Sequence, residues 1–225
     1  MSLENTQIAV LAENQYQELE LWYPVMRLRE EGANVLVVAP TADQVYVSKL
    51  GYPVKADLAV ADMQASDLDA VVIPGGFAPE GMRKHKPMVD LVRDVHKQGS
   101  LVAAICHAGW MLASSGIARG RRLTCVPNIK DDVINAGANY VDEPVVRDGN
   151  LITSRLPGDL PDFCREIVRY LSDAPPRRNS ARTLESRHGH PASAEYENPA
   201  KVIMGTRGRA SANYMAVVVQ DEPAK

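Results

Sequence analysis

Residues 100–112 read SLVAAICHAGWML: an apolar run of strand character meets a cysteine and passes into a Gly-containing segment of helical character. A strand–nucleophile–helix elbow needs small residues two positions either side of its tip, because the backbone closes on itself there. Ala104 and Ala108 fill those positions around Cys106, and Gly109 follows. Free cysteines are ordinarily buried core residues. The elbow pattern, the adjacent His107 and the place at a strand end set Cys106 apart as a candidate nucleophile. Cys125 and Cys164 lack that setting and read as core thiols.

Outward from this stretch the same alternation repeats. QIAVLA (7–12), NVLVVA (34–39) and DAVVIPGG (69–76) are strand-like, with nearly continuous Val, Ile and Ala. Between them lie amphipathic helical patterns at 18–31, closed by Gly32, and at 87–98, ended by Gly99. Further helices are expected over 107–115, 130–137 and 159–172, and hairpins around Gly51 and around Asp148–Asn150. Buried apolar strands separated by helices indicate an α/β chain with a mostly parallel sheet covered on both faces. In such sheets ligands sit beyond the carboxyl ends of the strands. Both PGG (74–76) and CHAG (106–109) lie there.

This placement suggests chemistry. Helix N-terminal N–H groups and the helix dipole favour thiolate over thiol at Cys106. The same N–H groups, beginning with that of His107, and the N–H of Gly76 can donate to an oxyanion. Gly75 and Gly76 also read simply as a tight turn. His107 is the natural base beside the sulfur, but neighbouring side chains diverge, so it needs a carboxylate to orient its ring.

Composition narrows the remaining classes. At 225 residues and 45% hydrophobic content the chain can build one large core. A net charge of −3 argues against nucleic acid as the main partner. The N-terminal MSLENTQIAV lacks signal-peptide character, no apolar run suits a membrane span, and three cysteines form no CxxC pair. A cytoplasmic setting is the expectation. Residues 1–172 are expected to form the domain. Residues 173–225, rich in Pro, Arg, Ser, His and Asn, are expected to be linker-like or partly disordered, with YMAVVVQ (214–220) a possible strand. His188 and His190 lack partners at metal-ligand spacing, and GTRGRA (205–210) lacks the setting of a phosphate loop. Neither a metal nor a cofactor is expected.

Five segments together carry a family resemblance: ELELWYPVMRLREEG, VVIPGGFAPEGMR, AAICHAGWML, PNIKDDVINAG and VVRDGNLITSRLPGDLPDF. In this order and spacing, over residues 7–172, the chain resembles the PfpI intracellular protease family of the ThiJ/PfpI superfamily, relatives of the class I glutamine amidotransferase fold. The resemblance implies a flavodoxin-like three-layer sandwich with Cys106 at a nucleophile elbow. It implies that Glu20, from the first helix, lies against the sulfur and carries a proton part of the time, donating to sulfur and lowering the thiol pKa. It implies that Glu80 orients His107 from a neighbouring subunit, so that the active form is a dimer or a hexamer of dimers. Gln17, Phe77 and Val126 depart from close relatives, which carry an acid, a basic residue and a Tyr at the matching places. The rim is therefore more apolar than theirs. Two functions are expected. One is a cysteine-dependent hydrolase or lyase acting in stress protection on a small carbonyl compound, a glycated group or a peptide, as a glyoxalase, deglycase or peptidase. The other is a redox-sensing or chaperone-like stress protein using an oxidisable, low-pKa cysteine.

Overall fold

The computed structural model describes residues 3–173 and 182–184. The chain begins with β1 (Gln7–Leu11), α1 (Glu18–Glu30) and β2 (Asn34–Ala39). A small excursion follows, β3 (Val45–Val47) pairing antiparallel with β4 (Pro53–Lys55), before the short β5 (Leu58–Ala59). Next come β6 (Ala70–Ile73), α2 (Ala78–Met82), α3 (Lys86–Lys97), β7 (Leu101–Ile105) and α4 (Gly109–Ser114). The last third holds β8 (Arg122–Leu123), α5 (Lys130–Asn135), β9 (Asn139–Tyr140), β10 (Val145–Asp148), β11 (Leu151–Ser154) and α6 (Leu160–Asp173).

Seven strands form one sheet in the order β10-β11-β7-β6-β1-β2-β5. All neighbours are parallel except the edge pair β10–β11. Every residue of β1, β6, β7 and β11 is buried, as strands covered by helices on both faces must be. This is the flavodoxin-like sandwich the sequence leads one to expect.

The expected helices and strands are present, with two refinements. The segment after Cys106 opens as a single 3-10 turn (Cys106–Ala108), and the α-helix proper starts at Gly109 and lasts six residues. A short helix, Ala78–Met82, also follows the Gly75–Gly76 turn, where the apolar pattern is too brief to announce one. Within α1, Pro24 supplies no N–H to the carbonyl of Glu20 one turn earlier, which relaxes the helix at the residue that reaches the site.

Residues 182–184 return to the amino ends of the strands. Leu184 is buried there; its N–H donates to Gln7 Oε1 at 2.9 Å, and its carbonyl accepts from Asn34 Nδ2 at 2.5 Å. Arg182 lies 3.7 Å from the buried carboxylate of Asp67. The segment YMAVVVQ, His188, His190 and GTRGRA lie outside the described residues. No helix among the described residues is long and apolar enough to cross a membrane.

Candidate active site

Strand register builds the site. β6 and β7 run parallel with Ile73 beside Ala104, so Pro74–Gly76 and Ile105–His107 leave the sheet together at its carboxyl edge. Cys106 has φ 62°, the left-handed region that a residue with a Cβ rarely occupies, and this turns the thiol out of the strand direction. The strained tip is what an elbow demands. Room for it comes from Gly75: a Cβ there would stand 2.7 Å from Cys106 Cβ, 2.7 Å from Glu20 Oε2 and 2.9 Å from the His107 nitrogen.

Gly76 is equally constrained. Its φ is 73°, and a Cβ would meet the Gln15 carbonyl oxygen at 2.5 Å. The strand-to-helix loop at 15–17 is laced to this turn. Tyr16 bridges Gly76, the Gln17 N–H donates to the Gly75 carbonyl at 3.2 Å, and the Phe77 N–H to the Gln15 carbonyl at 2.8 Å. Gln17 also caps α1, its Oε1 accepting from the Glu20 N–H at 2.9 Å. A position that departs from the family pattern therefore serves as the helix cap.

Glu20 is completely buried. Its Oε2 accepts from the Gly75 N–H at 2.8 Å, its Oε1 is buried without a nitrogen or oxygen partner, and its carboxyl is in hydrogen-bonding contact with the Cys106 thiol. Burial pushes this carboxyl up to about 7, against the pull of the Gly75 N–H and of Lys49. A half-protonated carboxyl beside sulfur is what the family resemblance implies.

The thiol is buried as well. Cys106 is 7% exposed, and burial together with the Glu20 negative charge pushes it up to about 12. The backbone N–H groups of Gly76 and His107 both point at the sulfur and pull the other way, but they are outweighed. The expected helix-dipole effect is small because α4 is short and begins three residues beyond the cysteine. Protonating Glu20 removes the repulsion, so the thiolate belongs to the state in which the carboxyl holds the proton.

His107 places Nδ1 3.3 Å from Cys106 Sγ. Burial and the nearby Lys49 cation lower its pKa, so the ring is neutral near pH 7 and its Nδ1 can accept a proton. The ring lies in an aromatic rim, 6.0 Å from Phe77 and 5.2 Å from Trp110. Trp110 is steadied by Asp132, whose Oδ2 accepts from the indole N–H at 2.7 Å.

Glu80 stands apart from this group. It is exposed on α2, 3.8 Å from Lys84, and no hydrogen bond joins it to His107 among the described residues. The single chain thus unites Cys106, His107, Glu20, Gly75 and Gly76 and leaves Glu80 on the surface. Val126 lines up behind the elbow, its N–H donating to the Cys106 carbonyl at 3.4 Å. The sequence reading misses Trp110 and Lys49. Trp110 had a signal, being four residues after Cys106 on the helical segment; Lys49, in the β3–β4 hairpin, had none.

A cysteine at the tip of a parallel-strand elbow, with a buried acid against its sulfur and two main-chain N–H groups aimed at it, defines an elbow-cysteine α/β protein. Comparison with known proteins gives the family. The model of the DJ-1/PfpI family matches residues 6–170, and the chain belongs to that family. An uncharacterized protein of Archaeoglobus fulgidus is 48% identical over 164 residues, 73% of this chain and 97% of the relative. A protein of Pyrococcus abyssi named as a deglycase is 45% identical, over 73% of this chain and 98% of its own. The crystal structure of Drosophila melanogaster DJ-1beta superposes with a TM-score of 0.71 at 34% identity, covering 77% of this chain and 92% of that one.

Proposed function

We propose that the chain is a cofactor-independent, cysteine-dependent enzyme that acts on an electrophilic carbonyl, of the glyoxalase or deglycase kind, in protection against carbonyl stress. The observation that carries this is the buried Glu20 carboxyl, held by the Gly75 N–H and touching the Cys106 thiol. The name of the Pyrococcus abyssi relative supports the same reaction type.

For a 2-oxoaldehyde the steps balance as follows. Sulfur attacks the aldehyde carbon while the thiol proton passes to the Glu20 carboxylate or to His107 Nδ1. The carbonyl electron pair moves to oxygen, which the Gly76 and His107 N–H groups hold. Transfer of a proton from C1 to C2 converts the hemithioacetal to a 2-hydroxy thioester, with Glu20 as the shuttle. Water then cleaves the thioester, giving a 2-hydroxy acid and the free thiol. In deglycation sulfur displaces the amine or thiol from the tetrahedral carbon of an early oxoaldehyde adduct: the new S–C bond forms as the C–N or C–S bond breaks. The leaving group takes up the thiol proton through Glu20 or His107, and the resulting hemithioacetal follows the same course. Peptide cleavage would use the same thiol, but a cysteine residue only 7% exposed suits a small carbonyl better than a folded chain.

Glu80 completes the site from a second copy of the chain, orienting His107 through its free ring nitrogen, in a dimer or a larger assembly of dimers. The redox-sensor reading draws less support, because no cysteine stands beside Cys106 in the sequence to act as a resolving thiol. The test is methylglyoxal consumption with lactate formation by the wild type, Cys106→Ser and Glu80→Gln. Loss in both variants is expected. A wild type that leaves methylglyoxal untouched rejects the glyoxalase reading, and full activity in Glu80→Gln rejects the shared site.

A further inference from the structure

The β3–β4 hairpin brings one cation to the rim of the nucleophile pocket. Its tip, Ser48–Gly51, is tied down on both sides of Lys49. The Lys49 N–H donates to the Tyr16 carbonyl at 3.0 Å, and Tyr16 in turn bridges Gly76. Glu18 Oε1 accepts from the Leu50 N–H at 2.7 Å and pairs with the Ser48 hydroxyl. Lys49 is thereby fixed one connection away from the oxyanion glycine, while its side chain stays exposed.

No ion pair holds the Lys49 ammonium among the described residues. Glu18, the acid that anchors the hairpin, spends Oε1 on Ser48 and Leu50, and its Oε2 is buried without a hydrogen-bond partner. The ammonium acts electrostatically on both groups that flank the sulfur, Glu20 and His107. Around the His107 ring stand Phe77 and Trp110, which offer apolar ring surface and no positive charge. An unpaired lysine is a compact point charge with three donors, suited to an anionic group of variable orientation.

We infer that Lys49 determines specificity by holding a carboxylate on the substrate, so that the site favours carbonyl compounds carrying a carboxylate over neutral ones. This rests on Cys106 being the nucleophile but not on which carbonyl reaction follows. Glu18 and ionised Glu20 oppose an incoming anion, and the lysine offsets them at the rim where the substrate's far end would lie.

The experiment uses two alkylating probes of nearly equal size, anionic iodoacetate and neutral iodoacetamide, with Cys106 modification followed by mass spectrometry. In each the sulfur–carbon bond forms, iodide leaves and the thiol proton is lost to solvent. Their rate ratio cancels any change in thiol ionisation, since both probes react with the same thiolate. Lys49→Met should lower the iodoacetate-to-iodoacetamide ratio roughly fivefold, the effect of one unit charge at about 4 Å in a watery setting. Lys49→Arg should keep the ratio, and high salt should lower it in the wild type. An unchanged ratio in Lys49→Met overturns the inference while leaving the nucleophile in place. Failure of both probes to modify Cys106 in the wild type, even with the reaction pH raised to favour the thiolate, overturns the nucleophile itself, and the inference with it.

Discussion

Replacing Glu20 by Gln reads the energetic consequence of the buried carboxyl directly. Burial raises this group from 4.5 to about 7 in the folded chain. Between those values the folded state still holds a proton that the unfolded chain has released, so stability falls as pH rises through that window. At 1.36 kcal/mol for each pH step, the destabilisation reaches about 3 kcal/mol once the pH is well above 7. Gln carries no charge to desolvate and still offers an oxygen to the Gly75 N–H, and the charge-assisted part of that bond is already contained in the raised value. The variant should therefore lie within about 1 kcal/mol of the wild type near pH 5 and exceed it by about 3 kcal/mol near pH 8. Urea unfolding of both proteins at three values across this range supplies the measurement. Taking the difference between the two chains cancels His96 and His107, which titrate in both. A difference that stays constant with pH, or a wild type that gains on the variant as pH rises, would refute the reasoning. Turnover should be lost in Glu20→Gln at every pH, because the amide cannot shuttle a proton.

Other substitutions test the packing of the same site. Gly75→Ala should cost about 1–3 kcal/mol in denaturant unfolding and abolish turnover, since its Cβ has no space between Cys106 and Glu20. Phe77→Ala, at a side chain 54% exposed, should change stability by less than about 0.5 kcal/mol. It should nevertheless raise KM for an aromatic oxoaldehyde such as phenylglyoxal, and an unchanged KM would remove the rim from substrate binding. Leu184→Ala should lower the unfolding free energy by about 1–2 kcal/mol, reporting the docking of residues 182–184 against Gln7 and Asn34. Equal stability would mean that this segment does not hold in solution.

Much of the fold was legible because each level of the chain agrees with the next. Buried strands of Val, Ile and Ala, helices closed by Gly32 and Gly99, and PGG and CHAG at strand ends all point to one doubly covered parallel sheet. The elbow was legible too, since only small residues at 104 and 108 allow the left-handed tip at Cys106. Gly75 and Gly76 read equally as a plain turn from their own sequence, and parallel register with β7 is what makes them the wall of a site.

What the sequence determined by itself is which residues are chemically competent and where on the sheet they fall, because hydrophobic period and turn chemistry are local properties. The tertiary structure decided their energies. Glu20 is a carboxylate on an amphipathic helix until α1 packs it against Gly75 and Cys106, and only then does its proton become costly to lose. Cys106 reads as an activated thiol from its place before a helix, yet desolvation by its neighbours pulls its pKa upward. Lys49 carries no signal in its own hairpin and is brought beside the site loop by a main-chain bond from its N–H to the Tyr16 carbonyl. Desolvation and charge proximity depend on what surrounds a group in space, and no pattern along the chain encodes that surrounding.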